Sequence, residues 1–285
     1  MRINKLFSNY GICSRKETNK LIEEKRVKVN GKLCVLGQWV EDADEILLDD
    51  RPILMKEKVY IALNKPVGIT CTAENNDKDN IIHFMKYPQY IFPVGRLDKD
   101  SQGLIILTND GKLANELLEC ENMHEKEYIV EVDRDFNDEF IAELSQGVDI
   151  LSNVSSGIRR ISDNLGVCKD EFNKNTLLSS DDLWNINAVN LKDINVKNKK
   201  DFIRTRECKV NRISSNSFKI ILTQGLNRQI RKMCGAFGFK VTKLERIRIL
   251  NINIENIDVG EWRYLSKDEI EDLKRKLNFN LEEIK

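Results

Sequence analysis

The stretch Gly95-Arg96-Leu97-Asp98-Lys99-Asp100-Ser101-Gln102-Gly103 sets acidic side chains in a polar, glycine-bounded loop. Short apolar runs flank it, Ile91-Phe92-Pro93-Val94 before and Leu104-Ile105-Ile106-Leu107 after. Polar loops between buried strands are common seats of chemistry, because the rigid strands fix the loop. A carboxylate there can act as a nucleophile or a general acid/base, its ionised form held by a neighbouring arginine. Asp98 reads equally well as a turn former or surface ion-pair partner, and spacing alone favours that plainer role. Tyr128 has the pattern of a strand residue packed in a core, and Arg231, on the flank of an amphipathic helix, that of a solvated side chain. A metal-dependent nuclease using Asp98, Asp100 and Asp110 is a weak alternative, since no Glu or His completes a usual ligand set.

These residues need a scaffold, and the pattern along the chain supplies one. Ile3, Leu6 and Phe7 at helical spacing, closed by Gly11, precede a capping box, Ser14-Arg15-Lys16-Glu17, which opens a helix to about Glu24. Val27-Lys28-Val29 and Lys32 to Val35 then flank Asn30-Gly31, the signature of a type I′ hairpin. This makes a compact unit of residues 1–50. Residues 51–58 read as a linker, because Pro52 disfavours helix before it and the composition is charged. A larger domain over 59–265 starts with Val59-Tyr60-Ile61-Ala62-Leu63 as a buried strand, and Asn64-Lys65-Pro66-Val67-Gly68 turns the chain. A short helix is expected at Lys112 to Leu118 and a helix at Leu226 to Phe237, where Ile230, Met233, Cys234 and Phe237 fall at i, i+3, i+4 and i+7. About 153–203 is rich in Asn, Asp, Lys and Ser and reads as an insertion. Ser266-Lys267-Asp268-Glu269 opens a terminal helix over 266–285.

The 46 Lys+Arg balance 46 Asp+Glu, so whole-chain charge gives no polyanion signal, but the distribution does. Residues 1–35 hold nine Lys/Arg, Arg15, Lys16 and Arg26 among them, against three Glu. Residues 202–248 hold twelve, including Arg228 and Arg231, against two Glu. Two such blocks can bracket a polyanion through phosphate neutralisation, although a single basic block is more often a solvated face. Seven Cys with no C-x-x-C pair, and only two His, argue against a structural zinc site or a secreted disulfide framework and point to a cytoplasmic chain. No run approaches 18 apolar residues, so neither a membrane span nor export is expected.

Pro93 to Gly111, with Asn64-Lys65-Pro66-Val67-Gly68 before it, His124 to Tyr128 after it and Gln224 to Cys234 later, resembles the RsuA-type ribosomal RNA pseudouridine synthases. Within that family the tail Lys243 to Ile249 and Gln224 to Arg228 look closest to the RluF branch. The amino-terminal unit is similar to the alpha-L RNA-binding motif. The resemblance implies an α+β chain, a small alpha-L domain followed by a mixed, mainly antiparallel synthase domain. It implies that Asp98 is the nucleophile, that Tyr128 stacks on the uracil and assists proton transfer, and that Arg231 pairs with the catalytic carboxylate. Leu244 would line the uracil pocket, and Arg96 would help hold the flipped state. Lys65, Arg228, Arg15, Lys16 and Arg26 would contact substrate. No metal or organic cofactor is implied, and a monomer acting on ribosomal RNA, with transfer RNA a further substrate, is expected. The alternative is a non-catalytic RNA-binding or ribosome-assembly protein.

Overall fold

The computed structural model describes residues 1–72, 78–119, 123–151 and 202–277. The chain forms two compact units, Met1–Asn122 with Ile247–Lys285, and Met123–Arg246. In the first, helices α1 (Ile3–Asn9) and α2 (Arg15–Glu23) pack on strands β1 (Val27–Val29), β2 (Lys32–Leu33), β3 (Ile46–Leu48) and β4 (Arg51–Pro52). The capping box forms as the sequence requires: the Ser14 side chain accepts from the Glu17 N–H, and the Glu17 carboxylate accepts from the Ser14 N–H. Asn30 and Gly31 both take positive φ, 48° and 73°, which is the I′ geometry that fits the twist of a two-residue hairpin. The core joins Ile3, Leu6 and Phe7 to Ile22, Val27, Val29, Val40 and Ile46. One expectation changes here. The presumed linker opens with a paired strand, because Arg51 and Pro52 run antiparallel to Leu48 and Leu47 at the edge of a four-stranded sheet ordered β2-β1-β3-β4. An edge strand tolerates Pro52, whose missing N–H faces no partner.

The remainder of this unit is built on β5 (Tyr60–Lys65), buried along its whole length. It contains α3 (Ile81–Met85), β6 (Phe92–Val94), β7 (Gln102–Thr108) and α4 (Gly111–Leu118). Strand β7 pairs antiparallel with β5, Lys65 lying opposite Gly103, and with β6, Val94 opposite Ile106. The motif after β7 has a local explanation. Asn109 accepts from the Val59 N–H and donates to the Glu57 carbonyl, while Asp110 caps α4 by accepting from Lys112 and Leu113 N–H and also from the Tyr60 hydroxyl. Asp110 is thereby committed to a structural role, against the nuclease reading. Gly11, at φ 68°, lies so close to Asn109 that a Cβ would sit 2.8 Å from its amide nitrogen, so the end of the first helix docks tightly on this corner.

The second unit contains β8 (Lys126–Val132), α5 (Asp138–Ser145), β9 (Asp149–Leu151), β10 (Phe202–Arg204), β11 (Lys209–Arg212), β12 (Ser217–Leu222), α6 (Gln229–Ala236) and most of β13 (Val241–Ile249). Strand β12 lies between β11 and β8, both antiparallel to it. Phe136, Phe140, Phe218, Phe237 and Phe239 form one aromatic cluster with edge and tilted contacts of 4.6 to 6.4 Å, which buries α5. Strands β9 and β10 pair with Leu151 opposite Phe202. Residues 152–201, nearly all of the expected insertion, lie outside the described residues. Helix α6 starts three residues later than its periodicity predicts, because Arg228 takes a left-handed φ of 49° and Gln229 accepts from the Leu226 N–H. The chain then returns to the first unit, where β14 (Ile252–Asn253) turns back on the end of β13, β15 (Trp262–Tyr264) pairs with β5, and α7 (Lys267–Lys276) carries its own capping box at Ser266 and Glu269.

Candidate active site

In the first unit the Asp98 loop is laced to the turn that follows β5. The Gly68 N–H donates to the Lys99 carbonyl at 2.7 Å, and the Leu97 N–H donates to the Cys71 sulfur at 3.3 Å. A turn bond from the Ser101 N–H to the Asp98 carbonyl closes the loop at 3.1 Å, with Ser101 buried. The apolar strands thus fix both ends, and two backbone bonds with one backbone-to-thiol bond fix the middle. Asp98 is half-buried and Arg96 exposed. Lys65 departs from its expected role in substrate contact. It is 0% exposed, and its ammonium donates to the Pro66 and Ile69 carbonyls at 2.9 Å each, so it stabilises the turn from within.

In the second unit Tyr128 is buried on β8, opposite Ile220, on the same face as Val130 and Val132. Arg231 on α6 donates to the Val241 carbonyl at 3.0 Å, which ties the helix to the start of β13. Leu244 and Arg246 are both buried on that strand, two residues apart and therefore on one face. Lys232 donates to the Leu151 carbonyl, and burial followed by the like charge of Arg228 holds its pKa below the ordinary lysine value. Gln224 accepts from the Arg206 N–H and from the Gln229 side chain, shaping the loop that leads into α6. Sequence reading did not single out Cys71, Gln229 or Arg246. Gln229 and Arg246 fall within the stretches Gln224 to Cys234 and Lys243 to Ile249 that carry the resemblance, and Cys71 left no trace.

The N-terminal cations divide. Arg15 and Lys16 are exposed on α2. Arg26 instead makes a bidentate pair with Asp49, at 2.8 and 2.7 Å, and a further contact with Glu24, which raises its pKa and depresses that of Asp49. Its charge is paired within its own module, on a side chain that stays 45% exposed.

The model for the RNA pseudouridylate synthase family matches residues 59–236, and that for the S4 domain matches residues 1–46. The chain belongs to the RNA pseudouridylate synthase family. The dual-specificity RNA pseudouridine synthase RluF of Salmonella typhi is 42% identical over 275 residues, covering 95% of this chain and 78% of that protein. Its namesake from Escherichia coli K12 is 40% identical over 288 residues, covering 100% and 82%. The ribosomal large subunit pseudouridine synthase B of Bacillus subtilis is 29% identical over 276 residues, covering 96% and 95%. A crystal structure of a pseudouridylate synthase shares the fold, with a TM-score of 0.57 at 24% identity and coverage of 96% and 99%. An S4 domain followed by a mainly antiparallel catalytic domain, in an RNA-modifying isomerase, replaces the non-catalytic reading.

Proposed function

We propose that the chain converts an unpaired uridine of large-subunit ribosomal RNA to pseudouridine and also accepts a transfer RNA anticodon-loop uridine. The observation that carries this reading is identity of about 40% across nearly the whole chain with relatives named as dual-specificity enzymes. The reaction is an isomerisation: the bond from C1′ to N1 breaks, C1′ joins C5, the C5 hydrogen leaves as a proton and N1 gains one. Asp98 is the nucleophile on its tethered loop. Tyr128 stacks on the base and assists proton transfer, Arg231 supplies the countercharge to the carboxylate, Leu244 lines the base site, and Arg96 with Arg228 holds the backbone. Extruding a base from its stack costs a few kcal/mol, which favours a loop or bulge uridine.

Release of tritium from C5-labelled uridine tests both parts. Asp98→Asn is nearly isosteric and removes the negative charge, so release should stop while RNA affinity stays near normal. Release by that variant at the wild-type rate would exclude Asp98 as nucleophile. Absence of release by the wild-type protein from large-subunit and transfer RNA transcripts would exclude the substrates.

A further inference from the structure

Trp39 is 70% exposed, although Val40 beside it is 2% exposed and belongs to the module's core. Its backbone is held in place. The Ile3 N–H donates to the Gln38 carbonyl, the Val40 N–H donates to the Met1 carbonyl, and Arg2 and Trp39 form an antiparallel bridge. A rigid segment therefore presents a large aromatic face to solvent. The ring borders a cavity of about 330 Å³ whose other walls are Met1, Arg2, Asn4, Lys5 and Arg15. That volume is at the small end of ligand pockets. No acidic residue lines it, and among the described residues Arg2, Lys5 and Arg15 form no ion pair. A flat aromatic surface ringed by exposed cations matches one chemistry, a nucleobase with its flanking phosphates. The exposed aliphatic residues Leu33, Val35 and Leu36 do not line the cavity, so the cationic rim rather than an apolar surface defines its occupant.

We propose that the N-terminal module holds a second nucleotide site, separate from the catalytic loop, in which an unpaired base of the substrate RNA stacks on Trp39 while Arg2, Lys5 and Arg15 bind the adjoining phosphates. This rests on the reading of RNA as substrate. The site anchors a nucleotide distant from the target uridine and contributes to affinity for the RNA rather than to the chemical step.

The test uses the full-length protein and C5-tritiated large-subunit ribosomal RNA transcript. Trp39→Ala should raise KM about 5- to 140-fold, the loss expected for one stacked base, and leave kcat unchanged. Trp39→Phe should restore most of the affinity. Lys5→Gln should lower the slope of log affinity against log salt by about one, which Trp39→Phe should leave alone. RNA should quench a component of the tryptophan fluorescence that is absent from Trp39→Phe. Unchanged thermal midpoints exclude misfolding. An unaltered KM in Trp39→Ala, with active wild-type protein, would overturn the site and leave the catalytic reading standing. If wild-type protein released no tritium, the substrate reading would fall, and presence or absence of Trp39 quenching by the transcript would still decide for or against the platform.

Discussion

Replacing Lys65 by methionine keeps the length of the side chain and removes its ammonium. In the native protein that group is enclosed and donates to the Pro66 and Ile69 carbonyls at 2.9 Å. Hydrogen bonds from a charged donor contribute about 1.5 to 3 kcal/mol each, so two give roughly 3 to 6 kcal/mol. Part returns in the variant, because a methionine no longer bears the desolvation of a buried charge. A net loss of about 2 to 3 kcal/mol remains. With a urea dependence of about 3 kcal/mol per molar, the unfolding midpoint should fall by roughly 1 M. Activity should fall further than stability implies. The turn held by Lys65 carries the Gly68 N–H that fixes the Lys99 carbonyl, next to Asp98, and misplacement of a reacting group by about 1 Å can lower the rate roughly 100-fold. The assays are urea unfolding followed by fluorescence, and tritium release at saturating RNA in the absence of denaturant. A variant with the native midpoint and native rate would refute the reasoning, since the ammonium would then support neither the turn nor the loop.

Two further outcomes are expected. Leu151 and Phe202 are directly opposed in a strand pair, so replacing residues 152–201 by a four-residue Gly-Ser turn should preserve the thermal unfolding transition and stabilise the protein by up to about 2 kcal/mol through loop closure, with loss of the cooperative transition as the contrary result. Glu269 accepts from Arg263 at 2.7 and 2.8 Å, which is the main reason its pKa lies below the ordinary carboxylate range, so its contribution is present above that range and vanishes as pH falls through the depressed value. Glu269→Gln should therefore be less stable than wild type by about 1 kcal/mol at pH 7, with the difference shrinking as pH falls below the ordinary carboxylate range, and a pH-independent difference in thermal melts would contradict this.

Local chemistry was the part of the fold most readable in the sequence. The capping boxes at Ser14 and Ser266 and the Asn30-Gly31 hairpin involve residues within a few positions of each other, so residue types alone suffice. The start of α6 was not readable, because it depends on the left-handed Arg228 and on glutamine side chains bonded to the backbone. The strand identity of β13 was hidden by its charged residues, which alternate unevenly with Leu244 and Ile249. For the site, the motif around Asp98 located the loop, but nothing in a single sequence indicates that Lys65 is wholly enclosed or that Arg26 is matched by Asp49, twenty-three positions away. Burial and long-range pairing are properties of the folded chain. A lysine or arginine in a basic block reads the same whether it faces phosphate or carboxylate.

The pairing of β15 with β5 has a consequence during synthesis. Strand β5 ends at Lys65, but its neighbour Trp262–Tyr264 is encoded nearly at the far end of the chain, with the whole of Met123–Arg246 between them. At about 5 to 20 residues per second, the growing chain carries β5 without that neighbour for roughly 10 to 40 s. During this interval a strand destined for complete burial presents an open hydrogen-bonding edge, the kind of surface on which chains associate. The intervening segment, by contrast, is contiguous and can complete its aromatic cluster as it emerges. The unit that begins first is therefore completed after the one that follows it, and the arrival of β15 closes the open edge of β5 against self-association.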